Sequence, residues 1–147
     1  MSELIDNTVL AVEQFNNEIK DDLSSKGIDD TREAANSIRV ETSEQGTKIS
    51  IASIGIDYLY YLDQGRGPGK FPPVDKIEAW VANKPVDINP FLVGRKIARE
   101  GTTIFRDHSK GIMLDEKRQA LLADLKQKAP EWAKQDILVR LKTPKRI

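Results

Sequence analysis

The chain is expected to fold as an α+β domain, in which a small antiparallel β-sheet packs against a long N-terminal helix and several shorter helices. Two apolar periods and one run of punctuation predict this. Over residues 4–23 the apolar side chains Ile5, Val9, Val12, Phe15, Ile19 and Leu23 recur at steps of three and four, which draws one stripe along a helix. The period then falls to two: Ile38 and Val40, and later Ile49 and Ile51, alternate with polar residues as half-buried strands do. Between residues 65 and 101, glycines and prolines cut the middle of the chain into short helices.

The first helix would span roughly 30–35 Å at about 1.5 Å per residue, and Gly27 suits its end. Residues 31–36 read as a short helical turn. Residues 37–43 and 47–55 form the hairpin (about 37–55), with Gly46 supplying the positive φ that a tight loop needs. Asp57 is placed to cap a helix carrying Tyr58, Leu59, Tyr61 and Leu62, which Gly65 closes. Pro73 can begin the next helix, where Val74, Ile77, Trp80 and Val81 repeat at helical spacing, so Trp80 reads as core and Pro85 as the stop. Asn89-Pro90 is a cap and first-position pair for a helix that Gly101 ends. Ile104 and Phe105 fall in a connecting segment. Asp115 starts a further helix that runs up to Pro130. Residues 137–141 fit a strand or a helix equally well.

At 147 residues the chain has the size of one domain, read as residues 1–147 with a basic tail at about 137–147. Hydrophobic residues at 39% and charged residues at 31% suit a soluble fold. No apolar run reaches the about 18 residues of a membrane span, and the start resembles no export or lipidation signal. Cysteine is absent, which fits folding in a cytoplasm and removes disulfides, thiolate ligands and thiol nucleophiles. With His108 the only histidine, metal sites built on histidine or cysteine fail for want of ligands. Neither a metal nor another cofactor is expected. The run Asp107-His108-Ser109 does not make a catalytic triad, because a triad needs convergence in space and not adjacency in sequence. Asp29-Asp30 lacks the alternating ligands of a calcium loop and suits helix capping instead. Nothing in this inventory points to an enzyme.

The net charge of zero conceals a division. Residues 1–63 hold 13 acidic and 5 basic side chains, whereas residues 64–147 hold 10 acidic and 18 basic. One explanation is two solvated faces; the other is an acidic surface of one subunit that meets the basic surface of its neighbour.

The segment Gly65-Arg66-Gly67-Pro68-Gly69-Lys70-Phe71-Pro72-Pro73 looks at first like a phosphate loop. No Ser or Thr follows Lys70, however, and Pro68 removes an N–H that would hold phosphate. A mechanical role fits better. Its glycines permit a close-packed path, with Gly67 expected in a conformation only glycine tolerates, while its prolines stiffen it. Arg66 and Phe71 are then presented in a fixed pose for an interface. Downstream, Arg95 and Arg99 stand one turn apart with Lys96 beside them, either as a solvated face or as a basic stripe for DNA phosphates or a partner's acids. The basic residues Arg140, Lys142, Lys145 and Arg146 leave the same choice between nucleic acid and a solvated tail.

Three blocks in order carry a family resemblance: Tyr58-Leu59-Tyr60-Tyr61-Leu62-Asp63-Gln64-Gly65-Arg66-Gly67-Pro68, then Pro72-Pro73-Val74-Asp75-Lys76-Ile77-Glu78-Ala79-Trp80, then Arg95-Lys96-Ile97-Ala98-Arg99-Glu100-Gly101-Thr102. Together they resemble the neck and tail-completion proteins of tailed bacteriophages. Ala35-Asn36-Ser37-Ile38-Arg39-Val40 is similar to that family's entry into its hairpin, and the likeness covers about residues 27–106. It departs at Lys84-Pro85-Val86, where the family tends to a lysine–glycine turn. The resemblance implies a virion protein assembled in the bacterial host cytoplasm and placed at the head–tail junction. There it would form a ring of about six or twelve copies around the DNA channel, a closure that needs two complementary patches per subunit. Portal or adaptor proteins and tail proteins would be its partners, with non-specific contact to genomic DNA and none to membrane. Gly65, Arg66, Gly67, Pro68, Gly69, Phe71, Arg95, Lys96 and Arg99 are the candidate interface. The rival function is a nucleic-acid-binding regulator using the basic C-terminal half, opposed by the neutral overall charge and the lack of a DNA-reading motif.

Overall fold

A computed structural model describes residues 2–29, 32–85 and 87–142. It is α+β: helix α1 (Glu3–Ser25) and α2 (Glu33–Ser37) precede strands β1 (Arg39–Gln45) and β2 (Lys48–Ile54). Helices α3 (Tyr58–Gln64), α4 (Val74–Ala82), α5 (Pro90–Glu100) and α6 (Thr103–Arg106), a 3-10 turn (His108–Lys110) and helix α7 (Leu114–Lys142) follow. No helix among the described residues is long and apolar enough to cross a membrane. The chain separates into two compact units. One holds residues 2–20, the hairpin and α7; the other holds residues 21–36 and 56–113.

In the first unit the stripe of α1 supplies most of the core, with Val12, Phe15 and Ile19 buried, and Ile38 at the mouth of the hairpin is buried as well. Asn16 is also buried, and the Ser53 hydroxyl donates to its Oδ1, which satisfies a polar group that would otherwise cost free energy inside an apolar core. The strands pair antiparallel with Gln45 opposite Lys48 and Arg39 opposite Ile54. Gly46 takes φ +60° at the first position of the two-residue turn, as a type II′ hairpin requires. The expected half-burial survives only near the mouth, at Val40, Ile51 and Ile54, and every residue from 41 to 50 is exposed. Strand alternation is therefore weak evidence of burial here, because no second layer among the described residues covers the hairpin tip.

Helix α7 departs from expectation. It does not stop at Pro130 but runs through it to Lys142, and residues 137–141 are helical. Proline deprives the Lys126 carbonyl of its donor, but the flanking Ala, Leu, Glu, Gln and Lys residues favour helix strongly enough to continue. The basic residues Lys145 and Arg146 lie outside the described residues.

In the second unit Leu23, Ala34, Ala35, Leu62, Ile77 and Ile112 form the core. The Asp29 carboxylate caps α2, accepting from the N–H of Ala34 (3.4 Å) and Ala35 (2.8 Å); Asp30 lies outside the described residues. Lys26 Nζ donates to the carbonyls of Ser109 (2.9 Å) and Gly111 (2.5 Å), tying the end of α1 to the chain after α6. Asn89 caps α5 through a bond from the Phe91 N–H to its Oδ1 (2.9 Å), with Pro90 in the first turn, as expected.

Three local expectations fail in this unit. Asp57 makes no side-chain cap to α3, since its own backbone is already helical. Ile104 and Phe105 lie not in a connector but in α6, which the Thr102 hydroxyl oxygen caps. Trp80 is not core: it is 41% exposed, with Lys84 Nζ 4.7 Å from its ring centroid. Ile77 fills the core from the same helix, and α4 ends at Ala82, three residues short of Pro85.

Candidate functional site

The glycine–proline loop begins where α3 closes. The Gly65 N–H donates to the Tyr61 carbonyl (2.8 Å), and Gly65 adopts φ +74°. A side chain there would be strained by φ alone, and its Cβ would also run into the Phe105 backbone nitrogen and reach 2.6 Å from Thr102 Oγ1. Only glycine lets α3 and α6 approach this closely.

The next residue joins the loop to the segment between α5 and α6. The Arg66 N–H donates to Thr102 Oγ1 (2.9 Å), and the Thr102 N–H donates to the Arg66 carbonyl (2.9 Å). Three residues on, the Gly69 N–H donates to the Ala98 carbonyl (2.8 Å), one turn from the end of α5. Phe71 then lays its ring over Gly94, where any Cβ would collide with it, and stands 5.4 Å from the Phe91 ring. The loop is thus fixed at one end to Thr102, just past α5, and at the other to α5 itself, and its stiffness comes from these bonds as well as from its prolines.

Two expectations about individual residues change. Gly67 does not occupy a left-handed conformation; what stands near it is the Phe105 ring, whose Cε2 lies 3.3 Å from where a Cβ would be. Arg66 is not held out freely either. It is partly buried, with its guanidinium 5.0 Å from the Tyr61 ring centroid, and Tyr61 meets Tyr60 edge-on at 5.5 Å. Pro68, Gly69 and Phe71 are exposed at the loop surface.

Arg95, Lys96 and Arg99 all lie exposed on α5, and none has an ion-pair partner among the described residues. The loop and these three cations therefore belong to one construction, α5 with the loop bonded to it. The sequence did not mark Thr102 as the joining residue. Its position directly after the glycine that ends α5 was the available signal, since a threonine there is a natural cap for a following helix. Exposed Tyr58, Tyr60, Phe91 and Leu92 also went unmarked, because apolar periodicity suggests burial.

Asp107, His108 and Ser109 form a cap. Asp107 Oδ1 accepts from the Ser109 hydroxyl (2.7 Å) and N–H (3.1 Å), so that hydroxyl faces a carboxylate and not the imidazole. The Ser109 hydroxyl, then its N–H, hold the Asp107 carboxyl below its ordinary range. Among the described residues, no group of three or more His, Cys, Asp or Glu is placed to hold a metal.

No known family model matches the chain, and no match is found among curated proteins or solved structures.

Proposed function

We propose that this chain is a structural protein of the head–tail junction of a tailed bacteriophage or phage-derived particle. There it forms a ring around the DNA channel and joins portal-side proteins to the tail. The observation that supports this most is the way the three resembling blocks pack. Residues 58–68, 72–80 and 95–102 lie in one compact unit: Arg66 of the first block bonds to Thr102 of the third, and Ile77 of the second closes on Gly94, the residue just before the third. The residues that carry the resemblance are thus neighbours in one packed unit and not scattered over the chain. The construction ends in a fixed loop and an exposed basic helix, features of a surface built for contact between proteins.

Deleting the gene from the particle's genome and imaging the product by cryo-electron microscopy tests the proposal. The expected result is filled heads and separate tails, with joining restored by the chain supplied in trans and a ring of it seen at the junction. Normal joined particles in its absence would overturn the proposal.

A further inference from the structure

We propose that the exposed stripe of α5 docks onto the exposed acidic stripe of α1 of a second copy of this chain, an inference that rests on the ring proposed above. Along α5 the exposed residues are Phe91 and Leu92, then Arg95 and Lys96, then Arg99 and Glu100, a repeat of one turn that runs from apolar to charged, with three cations to one acid. Phe91 and Leu92 are 60% and 57% exposed. Along the middle of α1 the residues Leu10, Glu13, Gln14, Asn17, Glu18 and Asp21 recur at helical spacing on the side away from the buried stripe, and all are exposed. Leu10 is 60% exposed, and Glu13, Glu18 and Asp21 have no ion-pair partner among the described residues.

The two stripes match in order, length and charge. Each begins with exposed apolar side chains and continues into charge, so a parallel alignment sets Leu10 against Phe91 and Leu92 and the acids against the three cations. At about 1.5 Å per residue, both stripes extend on the order of 12–16 Å. The charge separates by helix and not by compact unit. Among described residues one unit holds 11 acidic and 10 basic side chains, and the other holds 11 of each. Helix α1, in contrast, carries 6 acidic residues against Lys20 alone, while α5 carries 3 basic residues against Glu100.

Of the stripe's acids, Asp21 is also placed against the interest of its own helix. Its last turn has no basic residue, and Asp21 approaches the C-terminal end, where the helix dipole disfavours negative charge. Cations of a second copy would offset that cost. Because the stripes are different surfaces, the contact is heterologous: each copy offers α5 to one neighbour and α1 to another, which is what a ring requires.

Charge reversal on the full chain tests the contact by sedimentation velocity. The wild type should self-associate as its concentration rises, and less so as salt rises. Arg95→Glu with Arg99→Glu should lower the association constant about a hundredfold, and Glu13→Lys with Asp21→Lys should do the same. Mixing the two variants should restore association, since each then supplies what the other lacks. Circular dichroism should show both variants folded, as all four positions are exposed. A wild type that self-associates and ignores both reversals overturns the contact and leaves the ring standing. A wild type monomeric at every concentration, or a mixture that fails to associate, also overturns it. So does duplex DNA binding that the α5 reversal abolishes in a chain showing no self-association. Absence of the chain from the junction in particles would overturn the ring, while the reversals would still decide the contact.

Discussion

Arg66 and Thr102, 36 residues apart, are joined by two hydrogen bonds of 2.9 Å, one from the Arg66 N–H to the Thr102 hydroxyl oxygen and one from the Thr102 N–H to the Arg66 carbonyl. The same hydroxyl oxygen accepts from the Phe105 N–H at 3.3 Å, so one side chain closes the loop and caps α6. Thr102→Ala removes both acceptor contacts and should destabilise the chain by about 1–2 kcal/mol, with Thr102→Ser close to wild type. Urea unfolding followed by circular dichroism measures this. Equal stability of the alanine variant would mean that water replaces the hydroxyl at no cost.

Two glycines of the loop should respond in opposite ways. Gly65→Ala combines positive φ with a collision against the Phe105 backbone and should cost about 2–4 kcal/mol. Gly67→Ala meets only the edge of the Phe105 ring, which can shift, and should cost under about 1 kcal/mol. Thermal unfolding of the two variants side by side would reverse this account if Gly67 proved the more sensitive.

Pro130 sits inside a continuous helix and leaves the Lys126 carbonyl without its usual donor. Pro130→Ala should therefore stabilise the protein, by up to about 3 kcal/mol if no compensating bend holds the proline. A higher midpoint in urea is the expected reading, and an unchanged one would show that α7 unfolds separately from what the measurement follows.

Acid should weaken the turn after α6. The Asp107 carboxyl titrates below its ordinary value because Ser109 donates two hydrogen bonds to the ionised form. Between the depressed folded value and the ordinary unfolded value, the unfolded chain holds the extra proton. The stabilisation is therefore complete above the ordinary carboxylate range and is lost as pH falls through the folded value. Asp107→Asn keeps a capping oxygen without the charge, so the part of the acid-induced loss that Asp107 contributes should disappear. Unfolding midpoints of the two proteins below about pH 5 make the comparison.

The elements themselves were largely legible in the sequence, because Val12, Phe15, Ile19 and Leu23 are buried where helical spacing put them, and Asn89 and Gly101 bound α5 as caps do. What escaped was decided by contacts between distant residues. Nothing local to Trp80 says that Ile77 alone would face the core, and nothing local to Arg66 says that Tyr61 would lie beneath its guanidinium. Pro130 misled for the opposite reason, since its local veto was outweighed by the helix formers around it. At the candidate site, the loop and the basic helix were each visible, but their joining through Thr102, Ala98 and Gly94 was not.

Arg66 is the residue that best separates a working loop from a mere connection. Its backbone is bound to Thr102 whatever its side chain is, so Arg66→Ala should keep the loop path. The loss is the guanidinium over Tyr61, worth about 0.5–1 kcal/mol at a partly exposed position. If the loop acts as an interface, joining of heads to tails in complemented particles should fall far more than that small loss of stability explains. Arg66→Lys keeps the charge but not the planar donor fork, and should rescue joining only in part. Infectious yield, measured beside the unfolding midpoint of each variant, decides the matter. Full yield from the alanine variant would reduce the segment to a connection between α3 and α4.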